Sequence, residues 1–136
     1  MKLKSPKHNI DENATEALIE STISGLKAEQ DAFAILENDA MNYIQALRVE
    51  HGFIVQFQNG SVDKHYEFNT YLSRPQTINL FKSYLLGVDN WLVDLSYSKK
   101  NLRGFIGSIG FALGSFFSGF IRGYKEAKQK QQVIAL

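Results

Sequence analysis

Residues 104–121 read GFIGSIGFALGSFFSGFI. The stretch carries no charged side chain, and six of the ten glycines in the chain lie between Gly104 and Gly123. At about 100° per residue, Phe105, Ile106, Ile109, Ala112, Leu113, Phe116, Phe117, Phe120 and Tyr124 would share one broad helical face. Gly104, Gly107, Ser108, Gly114, Ser115, Ser118 and Arg122 would fall opposite, with Phe111 the one bulky residue among them. Small residues recur every fourth position: Gly104/Ser108, Gly110/Gly114/Ser118 and Ser115/Gly119/Gly123. This spacing lets two helix backbones approach closely.

Such a helix does not stand alone in water. Its five glycines cost about 4–5 kcal/mol relative to alanine. Burial of the aromatic face would offset that, since each fully buried Phe contributes about 1.5–3 kcal/mol. A bilayer, the chain's own domain or a second copy would each serve as cover. Eighteen helical residues span roughly 27 Å, close to the hydrocarbon core of about 30 Å, so length leaves all three open. Lys99, Lys100 and Arg103 precede the segment, and Arg122, Lys125, Lys128 and Lys130 follow it. Basic residues at both ends suit anionic headgroups, but their near-equal numbers give no clear direction of crossing. They also suit a solvated helix end.

The remainder reads as a small globular domain. Composition is 44% hydrophobic and 21% charged, enough for a modest core. A net charge of +1 makes no case for nucleic acid, whose binders carry a basic face. Without cysteine there is no disulfide framework, no Cys-ligated zinc and no thiol chemistry. The basic start, MKLKSPKHNIDEN, is not followed by an apolar run and does not read as a secretory signal. Residues 1–11 are expected to be loosely ordered, and the protein to be cytoplasmic, at the inner face of a membrane if the apolar segment docks there.

Residues 12–30 predict a helix, with Asn13 and Glu16 shaped like a capping box and Ala14, Leu18, Ile19, Thr22, Ile23 and Leu26 forming its stripe. Strands are expected over 32–37, 41–49, 53–58 and 62–69. In the second of these Met41, Tyr43, Leu47 and Val49 share a side. Asn59-Gly60 marks a hairpin between the last two. Phe53, Val55 and Phe57 then face one way with Val62, Tyr66 and Phe68. Gln56, Gln58, Asp63, His65 and Glu67 face the other, read as a solvated face open to a protein partner. Residues 76–87 predict a second helix stopped by Gly87, and 91–97 a last strand. The fold class is α+β: an antiparallel sheet of about five strands, ordered α-β-β-β-β-α-β, then the glycine-rich helix over 104–128. A basic link at 99–103 joins the two, and 129–136 form a tail.

The run FAILENDAMNYIQALRVEHGFIVQFQNGSVDKHYEF, followed by LFKSYLLG and WLVDLSY, resembles small bacterial α+β domains of the immunity-protein or secretion-chaperone type. The likeness covers about residues 12–98 and rests on patterning with the NGS…HY and YLLG…W pieces. It implies a helix beside a curved antiparallel sheet that clasps a partner protein. It carries over no functional residue.

Enzymatic candidates are thin. His8 lies near the start, His51 in a turn beside Glu50, and Asp63, His65 and Glu67 at period two on a strand face. Two carboxylates flanking an imidazole are acid–base or metal chemistry in principle, but a solvated strand face carries the same alternation. Neither HExxH, a Walker A loop nor GxSxG is present. The aromatics Tyr66, Phe68, Tyr71, Tyr84, Trp91 and Tyr97 read as packing rather than a ligand cage. The sequence therefore points to a non-enzymatic, cofactor-free protein-binding adaptor. Its C-terminal helix would associate with a membrane or another helix, and its glycine face offers a route to a homo-oligomer. The alternative is a soluble immunity- or chaperone-type protein that clasps its partner with the sheet. If the glycine face drives association, the double variant Gly110→Leu/Gly114→Leu loses chemical crosslinking between full-length copies; unchanged crosslinking contradicts the small-residue packing.

Overall fold

A computed structural model of the chain describes residues 1–29, 32–88 and 95–100. All of them belong to one unit, Met1–Lys100. The glycine-rich helix expected over 104–128, its flanks at 101–103 and 129–136, and most of the strand expected at 91–97 lie outside the described residues.

Among the described residues the domain is α+β, with one antiparallel sheet of seven strands and two helices. The elements are β1 (Lys2–Ser5), β2 (Ile10–Asn13), α1 (Glu16–Gly25), β3 (Phe33–Asp39), β4 (Asn42–Val49), β5 (Gly52–Asn59), β6 (His65–Phe68), α2 (Arg74–Leu86) and β7 (Tyr97–Lys99). Spatial order is β2-β1-β3-β4-β5-β6-β7.

The start of the chain corrects the expectation of loose order. Residues 2–13 form a hairpin, and β1 is inserted between β2 and β3. Its turn is a single 3₁₀ segment, Pro6–His8, closed by Asn9 at φ 52°. Proline suits the first helical position, and asparagine tolerates the left-handed region better than most residues. Leu3 is the anchor: it is fully buried in the main core. Ser5 Oγ, also buried, donates to Phe33 O at 2.9 Å. Apolar content at alternate positions is slight here, so the pattern alone does not announce a strand.

Helix α1 is shorter than the expected span. Asn13 belongs to β2, and Thr15 is the N-cap, its hydroxyl accepting from Leu18 N at 3.1 Å. Ten residues are too few for a stable isolated helix, so α1 depends on packing. Ile19, Thr22 and Ile23 are its buried positions, and Leu26 follows just past its end. Helix α2 agrees closely with expectation and has a full capping box: Ser73 Oγ accepts from Gln76 N at 3.2 Å, and Gln76 Oε1 accepts from Ser73 N at 2.9 Å. Pro75 sits in its first turn, and Gly87 ends it at φ 71°. Lys82 Nζ joins the two helices through Glu20 at 2.7 Å.

Both helices cover one face of the sheet. Ile19, Ile23, Leu80 and Phe81 pack there with Leu3, Ala34, Leu36, Ile44, Ala46, Phe53, Val55, Phe57 and Phe68. Register confirms the sharing of a face, since Leu36 opposes Ile44, Ile44 opposes Phe57, and Ala46 opposes Val55. At the far edge Phe57, Tyr66, Phe68 and Tyr97 form a ring cluster with centroids 5.0 to 6.0 Å apart. Tyr66, Phe68 and Tyr97 are thus packing residues, as expected; Trp91 lies outside the described residues.

The expected tight hairpin at Asn59-Gly60 is longer than two residues. Gly60 takes φ 88°, but a 3₁₀ turn over Val62–Lys64 intervenes before β6. Val62 and Asp63 consequently leave the strand. Gly52 is the more constrained glycine: at φ 150° its position for a Cβ lies 2.7 Å from Leu72 O, where Phe53 N donates to Leu72 O at 2.8 Å and Leu72 N to Phe53 O at 2.9 Å. At Gly87 nothing lies within 4 Å. Gly52→Ala should therefore cost more than Gly87→Ala, which carries the left-handed penalty of about 1–2 kcal/mol alone. Urea denaturation of both variants measures the difference, and equal midpoints would contradict the close approach of Leu72.

Candidate functional site on the second face of the sheet

Alternation along each strand builds a second face from the residues outside the core cluster that α1 and α2 share. Register places Glu37 opposite Tyr43, Tyr43 opposite Gln58, and Gln58 opposite His65. A neighbouring row runs Ile35, Gln45, Gln56, Glu67. A third pairs Phe33 with Leu47 and Leu47 with Ile54. None of these residues is part of the core cluster that contains α1 and α2.

Solvation of this face was the expectation, and the structure overturns it. Relative exposure is 0% for His65, 2% for Gln45 and Gln58, and 4% for Gln56. Phe33, Ile35, Tyr43, Leu47 and Ile54 are buried beside them. Of the five residues expected together, Gln56, Gln58, His65 and Glu67 do share the face. Asp63 does not: it lies exposed in the 3₁₀ turn before β6. The two-carboxylate arrangement around His65 is therefore not formed, and among the described residues no group of three or more His, Cys, Asp or Glu could hold a metal ion.

Buried amides need partners, because an unmatched polar group in a dry interior costs about 1–3 kcal/mol. Here they supply one another. Gln45 Nε2 donates to Gln56 Oε1 at 2.7 Å, and Gln56 Nε2 donates to Glu67 Oε1 at 2.8 Å. Lys100 Nζ stands 3.3 Å from the other carboxylate oxygen of Glu67. The Tyr43 hydroxyl donates to Gln58 Oε1 at 3.0 Å. His65 sits between the two systems, with Nδ1 at 3.2 Å from Gln58 Oε1 and from the Tyr43 hydroxyl, and Nε2 at 3.4 Å from Gln56 Oε1. The network is a bridge laid flat across β4, β5 and β6. One acceptor, Gln45 Oε1, is buried with no partner among the described residues.

Charge at the margins is neutralised in pairs: Lys2 with Asp11 at 3.7 Å, Lys4 with Glu37 at 2.6 Å, and Lys100 with Glu67. Burial pushes the Tyr43 phenol well above its ordinary range and holds it neutral. Burial also lowers His65 to about 4, which keeps the ring neutral near pH 7. A neutral ring is a weak electrostatic partner but a good hydrogen-bond spacer. Side chains this buried are covered rather than open, so the face presents almost no free polar or apolar surface.

The strand pattern identified Gln56, Gln58 and His65 but not Gln45, Ile35, Ile54 or Phe33 as their neighbours. It placed Tyr43 with Leu47, correctly, without linking either to Gln58. A signal was present. A solvated strand face is rich in Lys and Glu, whereas β4 and β5 carry Gln45, Gln56 and Gln58, which are uncharged. The residues expected to form the helix-association face (Gly104, Gly107, Ser108, Gly110, Gly114, Ser115, Ser118, Gly119 and Gly123) and the apolar wall (Phe105, Ile109, Leu113, Phe116, Phe117 and Phe120) lie outside the described residues. Among the described residues no helix is long and apolar enough to cross a membrane.

No protein-family model matches the chain, and neither the curated proteins nor the solved structures contain a match to it. The likeness to immunity-protein and secretion-chaperone domains thus stands on sequence pattern alone.

His65 makes the acid side of stability testable. Its folded pKa lies below the ordinary 6.5, so between about pH 6.5 and 4 the unfolded chain takes a proton that the folded one refuses. The contribution is complete above pH 6.5, declines as pH falls through that window, and is gone below about 4. Across that window the loss is on the order of 3 kcal/mol. Urea midpoints from pH 7 to pH 4 should fall for the wild type and fall less for His65→Asn; parallel curves would show that His65 titrates normally.

Proposed function

We propose that this chain is a non-enzymatic protein-binding adaptor whose sheet holds an apolar helix on its second face. The carrying observation is the chemistry of that face. Aromatic, aliphatic and amide side chains are dry there, their polar atoms are bonded sideways to one another, and neither described helix packs on them. A face so built gains from a flat apolar cover and offers little to a charged or strongly polar ligand. The unpartnered Gln45 Oε1 favours an occupant that brings one hydroxyl or N–H donor. A clasp of this kind is also what the resemblance to immunity and chaperone domains implies. In this reading residues 104–121 form a glycine-rich helix that associates with a membrane or with another helix, and the basic residues around it favour the cytoplasmic side of an anionic bilayer.

Two measurements on the full-length chain test the two halves of the proposal. A photoreactive phenylalanine analogue at Leu47 should crosslink to an apolar helical peptide of another protein, identified by mass spectrometry, whereas a product with this chain's own residues would mean that the face is covered from within and would remove the partner reading. Products with solvent or lipid alone would remove the sheet from the binding role. Sedimentation with vesicles of mixed zwitterionic and anionic lipid should carry the full chain down, or the chain should run as an oligomer in their absence. A full chain that stays monomeric in the supernatant would remove the associating helix, whatever the crosslinks show.

A further inference from the structure

We draw no further inference here: the strongest candidate, the second face of the sheet between β3 and β6 with the unpartnered buried Gln45 Oε1 at its centre, already carries the function proposed above, and nothing among the described residues shows what covers it.

Discussion

The β4–β5 ladder is the constraint on which the other elements depend. Eight register pairs join these strands, from Asn42 opposite Asn59 to Val49 opposite Gly52, and nearly every side chain between is buried whichever face it takes. An antiparallel sheet ordinarily keeps one face wet, which relieves it of any need to satisfy polar groups on that side. Here both faces are dry. The polar side chains of the ladder must then bond among themselves, and Gln45, Gln56 and Gln58 do so at distances that only this register permits. A slip of one residue would drive Val55 and Phe57 to the amide face and Gln56 into the helical core.

The two faces solve burial in different ways. On the first, α1 and α2 bring large aliphatic and aromatic groups against Phe53, Val55 and Phe57. Fully burying such side chains contributes about 1.5–3 kcal/mol each, so that face accounts for much of the stability. The second face mixes Phe33, Ile35, Leu47 and Ile54 with amides, a phenol and an imidazole. Its polar network adds little net energy per bond, about 0.5–1.5 kcal/mol, but makes every departure costly. In the proposed adaptor reading, shape would select what lies over this surface.

Much of the fold was legible along the chain. Alternation in 53–58 placed Phe53, Val55 and Phe57 on one side together because β5 is long and its pattern regular, and the structure puts that side under the helices. The stop at Gly87 was readable because a left-handed residue after an amphipathic run is a local requirement. The β1–β2 hairpin was not readable: its two strands have four residues each, and a single buried leucine, Leu3, holds the first in place. Such a segment becomes a strand only because β3 offers an open edge. Asp63 was misplaced for a related reason, since Asn59-Gly60 is a hairpin signal in isolation while the structure uses a longer turn.

Local composition determined on its own that this chain has an α+β domain, where its second helix ends, which strand residues alternate, and that 104–121 is an uncharged, glycine-rich stretch. Those properties follow from steric preference and side-chain period, which act over a few residues. Only the tertiary structure decided that the first strand enters the sheet, that Gln45 meets Gln56, and that His65 is dry and neutral. Burial is a property of what lies across from a residue, and what lies across from His65 comes from strands seven to twenty-two positions away.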